Sequence, residues 1–429
     1  MSKFWKIISV LTHKPAPVAF IIKEPEEYIS RYNKAGYIRL NRYPYWVGFF
    51  RDFHHKLALE VMKRTDEFEI ECWRPYGASI DREYETVFEG VKHRVFPSRY
   101  IRIPRTGYWH WSKPMLKALR AEAAKGKKIL LHLNDGHTNF ANWLLLKLKS
   151  VMPTIYMHRG YWFANFDFKY RRKNPFLLLL HSKEKKALKY IDYYFTGSMI
   201  EYKYLTNELH LKEVSFFMDG VDFDYFKPGD KIKAKRDLGI HPSKKVVLSV
   251  NRLTFGKGID LLIDVHNILK RERDDFVLIN VGSYNNIDPL YDYAKSAGII
   301  LYERMPEPEL LRFFQAADFY VLPMYSKLAQ MFSGIGTSTI QALACNLPVL
   351  SKNLIHFPGT EEERKSLGIQ FEDRDDFIIK FRYMLDNYHL FKEARGVTEK
   401  YFDFKVTINQ LTQTYKQVIE KYYKKCVEF

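Results

Sequence analysis

Apolar runs of strand length alternate with amphipathic helical runs along most of the 429 residues, the pattern of an α/β protein. In the front half, 36–43 reads as a strand, 51–64 as a helix and 67–73 as a second strand. A strand–helix–strand unit follows over 127–134, 141–150 and 154–160, and 191–198 is a short strand entering a loop. The back half is more regular. Strands are predicted at 245–250, 276–282, 299–305, 319–324 and 348–353, with helices at 259–272, 288–298, 308–317 and 337–346 between them. That alternation predicts doubly wound sheets, with ligands beyond the carboxyl ends of the strands. From about Val397 the chain reads as helical and basic.

Length and composition narrow the class. The chain is long enough for two domains, and with 46% hydrophobic and 16% aromatic residues it can fill large cores, which excludes global disorder. Cys72, Cys345 and Cys426 are too far apart for a disulfide framework or a zinc site and fit a reducing compartment. No stretch reaches the roughly 18–20 apolar residues of a spanning helix. The N-terminal stretch carries Lys3 and Lys6 and lacks a small-residue cleavage site, so it is a poor signal peptide. The expectation is a soluble, cytoplasmic, two-domain protein.

Charge is unevenly spread. Of the net +18, residues 1–228 carry +15. Between Glu89 and Glu122 there is no acid, while Lys92, Arg94, Arg99, Arg102, Arg105, Lys113, Lys117 and Arg120 interleave with Tyr100, Tyr108, Trp109 and Trp111. Three readings stand: a solvated basic face, a nucleic-acid surface, or an anionic membrane surface or acceptor. The chain has no RNA- or DNA-binding motif, so no nucleic-acid partner is expected. Arg99, Arg102, Arg105, Trp109 and Trp111 are the candidate acceptor or membrane face, since Trp and Tyr favour the headgroup layer and Lys and Arg an anionic leaflet.

Two segments of the back half carry candidate chemistry. The loop after the 245–250 strand holds Arg252, Gly256, Lys257 and Gly258, where glycine admits close backbone approach and two cations suit a diphosphate; a plain surface loop is the alternative. SGIGTST (333–339) opens a helix, so Gly336, Thr337 and Ser338 either cradle a phosphate or simply cap the helix.

Taken in order, NRL (251–253), KGIDLLI (257–263), NVGS (280–283), AADFYVLP (316–323) and QALACNLPVLSKN (341–353) resemble the donor-binding half of a GT-B glycosyltransferase of family 4 (group 1). FMDGVDFDYFKP (217–228), HLNDGHTN (132–139) and YMHRG (156–160) resemble the family's first domain more loosely, and residues 1–35 have no counterpart. The resemblance implies two Rossmann-like doubly wound domains facing a cleft. They would span 1–228, with 1–35 an extension of unclear role, and 229–400, with a helix at 401–429 returning to the first domain.

It also implies sugar transfer from a nucleotide-sugar with retention, to a glycan or lipid-linked acceptor, without a metal or other cofactor. Arg252 and Lys257 would neutralise the leaving diphosphate. His158 would face the donor sugar and phosphate. Gly48, Gly256, Gly282, Arg304, Ser333, Gly336, Thr337, Ser338 and Gln341 would bind the donor. His132 and His137 are weaker candidates; DFD at 222–224 reads as structural.

One departure stands out. The family's two glutamates, eight positions apart, align on Ser333 and Gln341, and no Asp or Glu occurs between Asp318 and Glu361. Either the donor is unusual, for instance one with an acidic sugar, or the chain is a catalytically silent scaffold or nucleotide-sugar-binding protein. A sugar epimerase is a third reading.

Overall fold

The computed structural model describes residues 5–11, 53–75, 82–103, 107–125, 128–134, 138–158, 175–282, 289–305, 307–325 and 334–427. By its contacts the chain forms two compact units: residues 1–197, 201–217 and 408–429, and residues 198–200 and 218–407.

The first unit is built on eight strands: β1 (Trp5–Leu11), β2 (Phe68–Pro75), β3 (Tyr84–Phe88), β4 (Val91–Phe96), β7 (Ile129–Asn134), β8 (Thr154–His158), β9 (Tyr193–Thr196) and β10 (Val214–Phe216). A separate ribbon pairs β5 (Arg99–Ile103) with β6 (Gly107–Trp111). The main sheet runs β10-β9-β8-β7-β1-β2-β4-β3 and is parallel except for edge strand β3. Glu89 (φ 47°) and Gly90 (φ 82°) turn β3 back onto β4, both left-handed as a two-residue hairpin of this twist demands. The expected strand at 36–43 lies outside the described residues.

Trp5–Leu11, expected to belong to an extension, is instead a central strand, paired with both β2 and β7. Its alternation is hidden by Lys6, which would be costly there without partners. Glu71 at 2.8 Å and Glu122 at 3.0 Å supply them. Burial opposes the charge, but the hydrogen bonds to the two carboxylates hold the Lys6 ammonium above its ordinary pKa.

Helix Phe404–Val427 ends the chain within the first unit. Ile408, Leu411, Tyr415, Val418 and Ile419 recur at helical spacing and share one core with Ile7, Phe68 and Leu130. Tyr423 closes the contact, its hydroxyl bonded to both the N–H and the carbonyl of Ile129.

The second unit has six parallel strands: β11 (Lys245–Val250), β12 (Phe276–Val281), β13 (Ile300–Tyr302), β14 (Phe319–Leu322), β15 (Val349–Ser351) and β16 (Gly368–Ile369). Their order, β13-β12-β11-β14-β15-β16, reverses direction between β11 and β14. This is the doubly wound arrangement with its switch point at those two strands, beyond whose carboxyl ends such sheets bind their ligands. Asp318, just before β14, is buried and ties the opposite end together through Lys231, Lys235 and the N–H of Val246.

Candidate active site

The loop after β11 delivers Arg252 and Lys257 to the switch point. Its course is set by two glycines. Gly258 has φ +73°, and a Cβ there would fall 1.9 Å from the carbonyl oxygen of Pro323 after β14. A Cβ on Gly282, at the end of β12, would fall 2.0 Å from the carbonyl oxygen of Asn251. Gly282, expected to bind the donor, thus lets the loop pack on β12. Gly256 is open, with no atom within 4 Å of a Cβ position.

Arg252 is exposed and Lys257 half-buried. The Lys257 ammonium lies 3.7 Å from the sulfur of Met324, a weak acceptor. Burial, and secondarily the nearby Arg252 charge, lower its pKa from 10.5 to about 8. Among the described residues neither cation forms an ion pair. Two neighbouring positive charges with no paired carboxylate among the described residues suit an anion.

The second anion-seeking element is helix Thr337–Ala344, just beyond β14 in the chain. Gly336 caps it with φ +86° and no side-chain bond, and no acid occupies the first turn. The N–H groups of Thr339 and Ile340 bond to the Gly336 carbonyl, at 3.1 and 3.2 Å. Those of Thr337 and Ser338 precede any intrahelical acceptor, at the positive end of the helix dipole. Thr337 is exposed, whereas the Ser338 hydroxyl is engaged by Tyr320 of β14 at 2.9 Å. Gln341 is buried, 5% exposed. Arg304 is exposed after β13. Ser333 and Gly48 lie outside the described residues.

Tyr320, Met324 and Asn353 were missed as site supports. Asn353 holds the segment before the helix, its amide donating to the Gly334 carbonyl at 2.9 Å. Tyr320 and Asn353 lie inside motifs already singled out, and Met324 ends the predicted 319–324 strand, but each reads as a plain strand or turn residue.

In the first unit, His158 ends β8 and is 5% exposed. Its Nδ1 lies 2.9 Å from Oε2 of Glu201, a fully buried carboxylate that also accepts from Thr196 and from the Tyr194 hydroxyl. Burial and then the Glu201 charge raise the Tyr194 pKa well above its ordinary value. Glu201 was not foreseen, because at the start of helix Met199–Asn207 it looks like an ordinary first-turn acid. His132 is structural: its Nδ1 meets the Tyr415 hydroxyl of the last helix at 2.6 Å. His137 lies outside the described residues. Among the described residues no three His, Cys, Asp or Glu side chains are grouped to hold a metal ion.

The basic run divides. Lys92 pairs with Glu85 at 2.7 Å, and Arg94 pairs with Glu83 while its guanidinium lies 4.3 Å over the Trp73 ring. Acid-free in sequence, these two cations are neutralised by Glu71 of β2, Glu85 of β3 and Glu83 just before β3, and drop out of the basic face. The ribbon remains. Arg99 pairs with Trp111 and Ile101 with Trp109 across it, Arg102 with Tyr108. Arg99 and Ile101 are exposed and Trp111 half-buried. His110 anchors the ribbon by stacking on Phe140 at 4.8 Å. Arg105 lies outside the described residues, and Arg102 and Trp109 enter only through the backbone pairing. Among the described residues no helix is long and apolar enough to cross a membrane.

Known proteins resemble this chain in sequence and in fold. Residues 230–399 match the model of the glycosyl transferases group 1. A D-inositol 3-phosphate glycosyltransferase from Segniliparus rotundus is 30% identical over 147 residues, which is 32% of this chain and 31% of that protein. The chain spans less than half the length of such curated relatives. Sucrose-phosphate synthase from Thermosynechococcus elongatus shares the fold at a TM-score of 0.67 and 16% identity, over 97% of this chain and all of the other. Alr3699/HepE from Anabaena, solved in complex with UDP, does so at 0.62 and 12%, over 96% and 100%. Residues 230–399 are therefore a group 1 glycosyltransferase domain, in a chain with the GT-B glycosyltransferase fold.

Proposed function

We propose that the chain transfers a sugar from a nucleoside diphosphate sugar, with retention and without a metal ion, as the family resemblance implies. The observation that carries this reading is the Arg252/Lys257 pair at the switch point, two neighbouring cations with no ion-pair partner among the described residues. Charge developing on a leaving diphosphate is what they would stabilise, and such electrostatic stabilisation is usually the largest catalytic contribution. Preorganised N–H groups of Thr337 and Ser338 would add to it. Because HepE binds UDP, UDP is the nucleotide of first choice. His158 faces the donor in this reading. The test is a thermal-shift panel of nucleoside diphosphates and their sugars, since a ligand of the folded state raises its apparent stability by mass action. A panel without any shift contradicts the proposal.

The acid-free stretch between Asp318 and Glu361 bears on the donor. A sugar carrying its own carboxylate is the donor that gains from the loss of both glutamates, because like charges there would repel it. A silent nucleotide-sugar-binding protein is the second reading, supported by the same absence, and is distinguished by binding without consumption of any donor.

For the acceptor we propose a lipid-linked or other anionic glycan at an anionic membrane surface, peripheral and on the cytoplasmic side. The support is the +15 charge of residues 1–228 together with the Arg- and Trp-bearing ribbon.

A further inference from the structure

Glu201 is the most deeply buried acid near the proposed catalytic histidine, and nothing in the proposed chemistry uses it directly. Its carboxylate is fully buried, a costly state for a charge unless it is paired and hydrogen-bonded. Three partners come from three places: His158 at the end of β8, Thr196 at the end of β9 and Tyr194 within β9. Thr196 and Tyr194 hydroxyls can rotate to donate, whereas the imidazole presents one fixed nitrogen. An acceptor-only carboxylate at 2.9 Å requires that Nδ1 carry the proton. In the neutral ring Nε2 is then left with a lone pair, an acceptor for a hydroxyl; in the charged ring it becomes a donor to a phosphate oxygen.

We propose that Glu201 is the positioning residue of His158, fixing the Nδ1–H tautomer and the ring orientation in which Nε2 meets the donor. This rests on the reading of His158 as a donor-facing residue. Thr196 and Tyr194 hold the carboxylate itself, so that one buried acid couples the ends of two adjacent strands to the histidine.

The test uses the full chain labelled with 15N-histidine, the His158 signals being assigned by their loss in His158→Gln. The wild type should show the Nδ1–H tautomer. Glu201→Gln, whose amide both donates and accepts, should move His158 toward the Nε2–H form. Glu201→Asp, which keeps the charge and shortens the reach, is the second variant and should move it in the same direction. In turnover of whichever UDP-sugar the wild type consumes, Glu201→Gln should lower kcat about tenfold, the order expected for one hydrogen bond to a charged group. Donor KM should be little changed, and Glu201→Gln should add no further loss on a His158→Ala background.

An Nε2–H tautomer in the wild type, or an unmoved tautomer in both Glu201 variants, overturns the pairing. Independent, additive losses in the double variant overturn the positioning role. Wild-type turnover in His158→Ala would instead overturn the donor-facing reading of His158, and with it the catalytic half of this proposal, while the tautomer result still decides the pairing.

Discussion

Lys257 holds its ammonium 3.7 Å from the sulfur of Met324, with Arg252 as its charged neighbour and no carboxylate paired to it among the described residues. A half-buried cation so placed costs stability, which an anion bound beside it would offset, as the proposed function requires. Replacing it by an apolar chain of similar length should therefore stabilise the fold and abolish function. Lys257→Met is expected to gain about 1 kcal/mol, as such relief of a strained site commonly does. That corresponds to a rise of about 2–4 °C in the melting temperature of the ligand-free protein. The gain also has a pH signature. With the folded-state pKa at about 8 and the unfolded value at 10.5, the unfolded chain binds more protons between those limits. Wild-type stability should rise across that window relative to Lys257→Met. Calorimetry at pH 7 and 10 checks both points, and a less stable Lys257→Met would refute them.

The loop's two glycines give opposite expectations. Gly258→Ala meets the Pro323 carbonyl and a left-handed φ, so it should lose about 1–3 kcal/mol and displace Lys257. Gly256→Ala meets nothing and should leave urea denaturation within about 0.5 kcal/mol of wild type. Equal midpoints for the two variants would show that the loop does not pack on β14 as described.

Sequence reasoning reached the second unit almost whole. Its strands are mostly apolar, and the glycine loop and the helix opening at Thr337 announce themselves by composition. The first unit was harder to read because its signals depend on partners remote in sequence. Lys6 hides a central strand because its partners, Glu71 and Glu122, are remote in sequence. Lys92 and Arg94 looked like free surface charge because Glu83 and Glu85, at the start of β3, reach them only after the hairpin forms. Glu201 went unremarked because the donors that mark it, His158, Thr196 and Tyr194, lie on β8 and β9 and meet it only in the fold.

Donor choice can be tested at the aligned glutamate position. Ser333→Glu should depress consumption of UDP-glucuronate relative to UDP-glucose by about tenfold or more, as like charges brought together cost several kcal/mol. Enhanced use of both donors by the variant would contradict the acidic-donor reading.

The ribbon predicts salt-sensitive membrane binding. The protein should cosediment with vesicles containing an anionic lipid and not with neutral ones. Removing Arg99 and Arg102 together should weaken that binding by about 2 kcal/mol, about 1 kcal/mol per charge. Raising salt from 0.1 M to 1 M shortens the screening length from about 10 Å to about 3 Å and should release the protein. Equal binding to neutral vesicles would remove the membrane from the account.

The diphosphate site is the central claim, and titration calorimetry with UDP tests it most directly. Wild type should bind at pH 7, and Arg252→Ala and Lys257→Ala should each lose about 1.5–3 kcal/mol, the worth of a charge-assisted hydrogen bond. Above about pH 8 the free protein has lost the Lys257 proton and must take one up to bind, so the wild-type affinity should fall between pH 8 and 9.5 while that of Lys257→Ala stays flat. Unchanged UDP affinity in both variants, with the fold intact and no dependence on pH, would contradict it.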